Sequence, residues 1–202
     1  MIKIAKFIGV LLGCLSRIVP TKLDYFFYVL KRNFCTMRNK SKFKLFGGNS
    51  LLSPGCKLYR VGNFSIGKNT SIMLGCVLEG VGNGECVIGN GVSLGEYSHI
   101  TCANKIVIGD GLLTGRFVLI TDNSHGRGVI EERDIYPLAR KVYSKGDVVI
   151  GKNVWLGDKV TILPGVHLGD NVIVGANSVV TRDFPPDVVV AGNPAKIIKQ
   201  QK

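Results

Sequence analysis

Residues 150–180, IGKNVWLGDKVTILPGVHLGDNVIVGANSVV, carry a large aliphatic side chain at every sixth position. The same step, interrupted by insertions, extends back to Phe46, and 16 of its 18 positions are Ile, Leu or Val. The positions are Phe46, Leu52, Leu58, Ile66, Ile72, Leu78, Ile88, Leu94, Ile100, Ile108, Thr114, Ile120, Ile150, Leu156, Ile162, Leu168, Val174 and Val180. Hexapeptide repeats of this kind are typical of an all-β parallel β-helix, in which three short strands form one coil.

A small or β-branched residue stands four positions after most of these aliphatic anchors, for example Cys76, Val92, Ser98, Ser124 and Val160. Alternate side chains of an extended segment face the same way, so this residue and the next anchor point inward together. Wherever extra residues enter, they follow the third hexad of a group of three, which predicts about six triangular coils over residues 46–183. The spacing does not determine the handedness of the coils. Residues 184–202 are expected to close the domain with a strand and a short helix.

The first 45 residues differ in composition from the rest and predict a basic, apolar helical extension. They contain ten Lys or Arg and one acidic residue, whereas residues 46–202 hold 16 basic and 13 acidic residues. Two helices are expected, over residues 1–20 and 21–35, and the apolar run from Phe7 to Leu15 is too short to span a bilayer. The extension would lie on an anionic membrane surface or pack against the β-helix and neighbouring subunits. Because the positive charge is confined to it, no nucleic-acid partner is expected.

The six cysteines contain no C-x-x-C pair, so they predict neither a zinc ribbon nor a disulfide framework. Cys56 and Cys76 occupy the inward small-residue position, where a thiol acts as a compact apolar group. A reducing, cytoplasmic location is therefore expected, with contact to the inner face of the membrane as an option.

Three histidines, His99, His125 and His167, stand at the sixth position of their hexads and are expected to point outward. His125 directly precedes the protruding insertion 126–147, and insertions longer than about 12–15 residues are uncommon unless they carry function. Histidine suits a general base at neutral pH. If the insertion returned to the coil in register, His125 and His167 would lie one strand spacing apart, ~4.8 Å.

The segments ITDNSH (120–125) and VVIGKNVWLGDKVTILPGVHLGDNVIVGANSVVTRDFPPDVVVAGNPAKIIK (148–199) resemble the hexapeptide-repeat acetyltransferases of sugar and polysaccharide O-acetyltransferase type. The resemblance covers residues 46–199. It implies a left-handed β-helix, a homotrimer, acetyl-CoA bound between adjacent subunits, and a glycan or small-molecule acceptor. No metal is expected.

The same resemblance assigns roles to individual residues. It implies that His125 is the general base. It places the following residues beside the cofactor: Trp155, Asp158, Ala176, Thr181, Arg182, Lys196 and Lys199. Candidates for acceptor binding are Asp122, Asn104, Glu131 and Glu132, and any of the three carboxylates among them would suit orientation of the His125 ring. The maltose and galactoside enzymes place an acceptor-binding Asn in an earlier coil, but this chain has Leu-Gly-Glu-Tyr-Ser-His at residues 94–99, which leaves the acceptor open.

Other functions compatible with the repeat are a xenobiotic or serine acetyltransferase, a zinc protein like the γ-class carbonic anhydrases, and a scaffold without enzymatic activity. The serine enzymes carry a larger helical N-terminal domain than these 45 residues. The zinc enzymes use three histidines, of which two are close in sequence, and this chain has no such pair.

Overall fold

The computed structural model describes residues 21–201 as a parallel β-helix preceded by one α-helix. The helix α1 spans Thr21–Asn39 and is followed by a 3₁₀ turn, Lys40–Lys42. The strands are β1 Leu45–Phe46, β2 Leu51–Leu52, β3 Lys57–Tyr59, β4 Phe64–Ile66, β5 Ser71–Ile72, β6 Val77–Gly80, β7 Glu85–Ile88, β8 Ser93–Leu94, β9 His99–Cys102, β10 Lys105–Ile108, β11 Leu113–Thr114, β12 Leu119–Thr121, β13 Ser124–His125, β14 Val142–Tyr143, β15 Val148–Ile150, β16 Trp155–Leu156, β17 Thr161–Ile162, β18 His167–Leu168, β19 Ile173–Val174, β20 Val179–Val180, β21 Val188–Gly192 and β22 Ala195–Gln200.

Three sheets form the sides of the solenoid. Sheet A has the order β1-β4-β7-β10-β15-β18, sheet B β2-β5-β8-β11-β16-β19-β21-β22, and sheet C β3-β6-β9-β12-β17-β20. Each coil passes from A to B to C, and we name the turns between sheets the AB, BC and CA corners. The order gives six complete coils, and a partial seventh begins where Phe184 bridges Leu168 and continues as β21 beside β19. The parallel β-helix predicted from the hexad step is confirmed.

The register of the sheets aligns the sixth-position residues into columns. In sheet C, for example, Leu78 pairs with Ile100, Ile100 with Ile120, and Ile120 with Ile162. Of the 18 anchors, 16 are buried, and only Phe46 and Leu58 in the first coil are partly exposed. Most of the small partner residues are buried too. Ser124 is an exception, because the chain has already left the coil there and the side chain is exposed.

The expected C-terminal helix is wrong, because residues 195–200 form strand β22, which pairs antiparallel with β21. Without β22, the polar backbone of β21 would be left as an open sheet edge, and covering such an edge prevents pairing with other chains. Gly192 permits the reversal with φ 108°.

The helix expected over residues 21–35 is present and continues to Asn39. Its second half is fixed to sheet B: the Leu52 N–H donates to the Thr36 hydroxyl at 2.9 Å, and Arg32 Nη2 donates to Ser71 Oγ at 3.1 Å. The helix expected over residues 1–20 lies outside the described residues. Within residues 21–201, no helix combines the length and apolar character that a bilayer crossing requires.

Candidate active site

The insertion after His125 is an arm with its own backbone structure. Strands β13 and β14 pair antiparallel, with His125 opposite Val142, and Gly126 N–H donates to Lys141 O at 3.0 Å. Two 3₁₀ turns, Ile130–Glu132 and Pro137–Ala139, shape its outer part. The Arg127 guanidinium lies over the Tyr143 ring, 5.5 Å from its centroid. These contacts hold His125 at the base of the arm.

His125 lines a cleft of 570 Å³ between the arm and the CA corner. Leu163 and Pro164 from the corner after β17, and Thr181 from the corner after β20, form the opposite wall. Lys145 contributes a cationic side chain. The structure therefore brings together two of the residues that the resemblance implied, His125 and Thr181, and adds Lys145 and Pro164, which carried no recognisable sequence signal.

None of the three carboxylates proposed to orient His125 does so here. Asp122 is fully buried, and its two oxygens accept the backbone N–H groups of Ala103 and Asn104 at 2.7 and 2.8 Å. Glu132 Oε2 accepts the N–H groups of Arg127 and Gly128. Glu131 is exposed. Across residues 21–201, the structure gives the ring nitrogens of His125 no hydrogen-bond partner.

The buried Asp122 also contacts a thiol. Cys102 Sγ lies 3.5 Å from Asp122 Oδ2, and burial, followed by the nearby Asp122 charge, raises the pKa of the Cys102 thiol well above its ordinary value. Cys102 therefore stays a neutral donor. Asn104, the remaining acceptor-binding candidate, donates from Nδ2 to Asp147 Oδ1 at the surface, 2.5 Å away.

The two other histidines lie elsewhere. His167 pairs in register with Val149, so the expected stacking of His125 on His167 is wrong; the arm diverts His125 into the β13–β14 pair. His99 lies on the outer side of sheet C, with Nε2 3.4 Å from Glu79 Oε2. No group of three His, Cys, Asp or Glu placed to hold a metal ion occurs among residues 21–201.

A second cleft, of 400 Å³, joins three of the implied cofactor residues at the BC corner. Trp155 projects from β16 with half of its surface exposed, Asp158 follows β16, and Ala176 follows β19. Lys199 on β22 lines an adjoining cleft that shares Ile173 with this one. Lys196 is exposed on the same strand, and Arg182 lies over the Phe184 ring at 5.5 Å.

The backbone at this second cleft has an unused donor. At several corners, the residue after the first corner Gly donates its N–H to the side-chain oxygen of an Asx residue one coil further on. Arg116 N–H donates to Asp158 Oδ1 at 2.8 Å, and Asn90 N–H to Asp110 Oδ1 at 2.7 Å. The Asn90 backbone bond, with a second bond from the Asn90 side chain, lowers the pKa of Asp110. Ala176 has no such oxygen, so within the described chain Asp158 N–H lacks an acceptor, and Asp158 is one of the residues that line the cleft.

Comparison with known proteins shows which sequences and folds this chain resembles. Residues 147–182 match the family described as bacterial transferase hexapeptide (six repeats). The chain therefore carries the repeat of that family over these residues. Over 87 residues it is 48% identical to a protein of Escherichia coli (strain K12) named as a lipopolysaccharide biosynthesis O-acetyl transferase, WbbJ; the match covers 41% of this chain and 44% of WbbJ.

Two further relatives extend the comparison. Galactoside O-acetyltransferase of Escherichia coli (strain K12) is 53% identical over 53 residues, 26% of each chain. The chain thus spans less than half the length of either curated relative. The crystal structure of AntD, an N-acyltransferase from Bacillus cereus in complex with dTDP and 3-hydroxybutyryl-CoA, superposes with a TM-score of 0.69 at 26% identity, covering 82% of this chain and 87% of AntD.

Proposed function

We propose that this protein is an acetyl-CoA-dependent O-acetyltransferase that modifies a hydroxyl of a sugar or a surface-polysaccharide precursor. The observation that carries the proposal is that the β-helix has two clefts. One contains the exposed imidazole of His125, and the other is lined by Asp158, whose backbone N–H is unpaired. The relatives support the chemistry: WbbJ and the galactoside enzyme are named O-acetyltransferases, and AntD binds a nucleotide and an acyl-CoA.

The BC-corner cleft fits the pantetheine arm of acetyl-CoA, which would supply the activated acetyl thioester. An amide carbonyl of that arm would accept the Asp158 N–H that Ala176 leaves unpaired. The small Ala176 side chain keeps the corner open, and the exposed Trp155 surface would pack against the apolar stem. Arg182, Lys196 and Lys199 are assigned to the phosphates at the other end of the cofactor.

In the other cleft, His125 acts on the acceptor. Its neutral imidazole takes the hydroxyl proton as the oxygen bonds to the carbonyl carbon of the acetyl group. The bond from that carbon to sulfur then breaks, and the imidazolium gives the proton to the departing thiolate. The alcohol becomes an acetyl ester, and CoA leaves as the free thiol, so atoms and charge balance. Direct transfer requires both substrates to be bound together.

The two clefts of one chain lie at different corners. Strand β17 of sheet C lies between Asp158 at the BC corner and Leu163 at the CA corner. In the proposal, an acetyl group held in the first cleft is presented to His125 of a neighbouring subunit. We infer a homotrimer in which the BC corner of one subunit faces the CA corner of the next, and sedimentation velocity tests its mass.

The test of function is an acceptor screen with acetyl-CoA in which released thiol is measured for wild type, His125→Ala and His167→Ala. His125→Ala should lower turnover by ~10²–10⁴-fold, because a general base typically contributes that factor. Its stability and its affinity for acetyl-CoA should be unchanged, since the side chain is exposed and leaves no cavity. His167→Ala is the matched control and should keep wild-type turnover.

If His125→Ala retained more than about a tenth of wild-type turnover, His125 would not be the general base, because loss of a general base lowers the rate by a larger factor. Wild-type protein that fails to bind acetyl-CoA in a calorimetric titration would instead favour the non-enzymatic scaffold.

A further inference from the structure

Two insertions at successive CA corners lie one coil apart and are joined by hydrogen bonds. The smaller is the two-residue turn 103–104 between β9 and β10, and the larger is the arm between β12 and β15. Both follow a third hexad in the sequence. Each end of the arm is bonded to the turn or to the strand that leads into it, so the turn acts as a support for the arm.

The carboxylate of Asp122 fixes the outgoing end of the arm. The side chain is fully buried, and its two oxygens accept the N–H groups of Ala103 and Asn104 at 2.7 and 2.8 Å. Asn123 Nδ2 also donates to Asp122 Oδ1, at 3.0 Å. Hydrogen bonds to an ionised group are stronger than neutral ones. The turn and the start of the arm are therefore held tightly together.

Asn123 adds a second attachment at the same end, two residues before His125. Its Nδ2 donates to Thr101 O at 3.2 Å and to Thr101 Oγ1 at 3.3 Å. Its backbone is bonded as well, because Thr121 Oγ1 accepts Asn123 N–H at 3.2 Å and donates to Asn123 O at 3.0 Å. At most about 7 Å of chain separates Asn123 from His125. These bonds therefore set the direction in which His125 leaves the coil.

Asn104 also holds the returning end of the arm. Its Nδ2 donates to Asp147 Oδ1, one residue before β15 resumes the coil. The outgoing and returning strands are paired with each other, with His125 opposite Val142. A two-stranded ribbon that is attached at both ends cannot pivot as a unit. The turn thus limits where the His125 imidazole can stand.

The turn itself rests on the corner that follows β6. Glu85 N–H donates to Asn104 O at 2.9 Å. Gly84 lies so close to the turn that a Cβ there would overlap Cys102 O. The support is therefore fixed from below by the solenoid and bonded above to the arm.

We propose that Asn104, Asp122 and Asn123 are positioning residues for His125. Through the two ends of the arm they set where the imidazole lies relative to the acetyl thioester, although none of them bonds to the ring. This inference rests on the proposed function, in which His125 is the general base. None of the three lines the proposed acetyl-CoA cleft, so they should affect kcat rather than cofactor binding.

The informative variants leave the buried carboxylate in place, because Asp122→Ala would strand two N–H groups and destabilise the fold. Asn123→Ala removes the bonds to Thr101. Asn104→Asp sets one carboxylate against another at Asp147 and removes the bond at the returning end. Adding Asp147→Asn to Asn104→Asp restores a donor and an acceptor with their places exchanged, and this double variant is the rescue.

Asn63→Ala is the matched control. Asn63 Nδ2 donates to Asn83 O at 3.3 Å, so the substitution removes the same kind of bond between two earlier CA corners, away from the arm. It should keep wild-type kcat.

The first readout is kcat per folded molecule, measured by thiol release well below the melting temperature. Asn123→Ala and Asn104→Asp should each lower kcat about ten- to a hundredfold, since a misplacement of about 1 Å can cost roughly a hundredfold in rate. The double variant should return close to wild type. KM for acetyl-CoA should be unchanged in all variants.

The second readout is the imidazole C–H signals in NMR, which require no turnover. The chain has three histidines, and loss of one signal in His125→Ala assigns that ring. The His125 signal should shift or broaden in Asn123→Ala and Asn104→Asp and return in the double variant, while the His167 signal stays in place.

A role confined to stability would lower the melting temperature of the variants and leave both kcat per folded molecule and the His125 signal unchanged. That result would overturn the inference and leave the proposed function intact. Wild-type protein that transfers no acetyl group would end the proposed function and this inference together, which is a different result from a variant that turns over as fast as wild type.

Discussion

At the scale of single residues, one side-chain oxygen decides whether a corner N–H is used by the solenoid or left for a ligand. Asn90 Oδ1 accepts Lys68 N–H at 2.8 Å, and Asp170 Oδ1 accepts Lys152 N–H at 2.7 Å. Ala176 cannot do the same for Asp158. An unpaired corner N–H is available to a ligand, and the proposed function assigns the one at Asp158 to acetyl-CoA.

Ala176→Asn should convert this binding corner into a structural one. The new amide oxygen would accept Asp158 N–H and occupy the cleft, so we expect acetyl-CoA affinity to fall about tenfold or more, as one lost hydrogen bond contributes up to about 1.5 kcal/mol. The melting temperature should stay the same or rise. Titration calorimetry and thermal unfolding measure both quantities.

Lys152→Asn is the matched control, because it supplies the same amide to Asp110 N–H at an AB corner away from the cleft. It should leave acetyl-CoA affinity unchanged. Equal affinity of Ala176→Asn and wild type would show that the cofactor does not use Asp158 N–H.

The sequence predicted candidate site residues better than it predicted their contacts. Motif matching selected Trp155, Asp158 and Ala176, which the structure gathers in one cleft. It also selected Asp122 as an acceptor ligand or histidine partner, but that carboxylate is buried on the backbone of residues 103 and 104. The sequence alone does not show which carboxylate will accept the backbone N–H groups of an insertion in the preceding coil, because the direction of those N–H groups depends on the path of the inserted chain.

At the scale of elements, the hexad step predicted almost every strand, because one inward column fixes the register of each sheet. The strands of the arm and the last strand of the chain were harder to predict from the sequence. A single antiparallel pair, such as β13–β14 or β21–β22, has no repeated column to reveal it. Residues 195–200 also contain the Ile197-Ile198 pair between lysines, which suits a helix as well as an edge strand.

The columns make the core sensitive to truncation. Ile162 is fully buried between Ile120 and Val180 in sheet C. Ile162→Ala should lower the free energy of unfolding by about 2–5 kcal/mol, since neighbouring coils cannot close around the cavity. Chemical denaturation measures the change.

Thr161→Ala, one residue earlier and pointing outward, is the control and should change stability by no more than about 0.5 kcal/mol. An Ile162→Ala protein as stable as this control would contradict the inward assignment of the column.

At the scale of the whole molecule, α1 gives the described chain two unlike ends. The final coil is covered by β22. Within residues 21–201, the second half of α1 lies on the first two coils, where Thr36 bonds Leu52 of the first coil and Arg32 bonds Ser71 of the second. The first half of the helix projects apolar side chains into solvent, among them Tyr25, Phe26 and Phe27. Residues 1–45 also carry ten of the 26 Lys and Arg residues. Apolar and basic groups together suit the surface of an anionic membrane.

We predict that the full-length protein binds anionic vesicles through this half of α1. Each Lys or Arg near such a surface contributes about 1 kcal/mol, and the attraction is screened by salt. The protein should therefore co-sediment with phosphatidylglycerol vesicles at low salt, less at high salt, and not with phosphatidylcholine alone. Tyr25→Ser combined with Phe26→Ser should reduce binding without unfolding the chain, because both side chains are exposed and Thr36 stays in place to satisfy Leu52.

Leu138→Ser, which alters an even more exposed apolar residue on the arm, is the control and should bind vesicles as wild type does. The alternative role for the helix is contact between subunits. In that case the Tyr25→Ser, Phe26→Ser protein would sediment as a smaller species, and wild type would remain in the supernatant with every vesicle. That combination would assign the apolar half of α1 to assembly, because rings buried between subunits are not available to lipid.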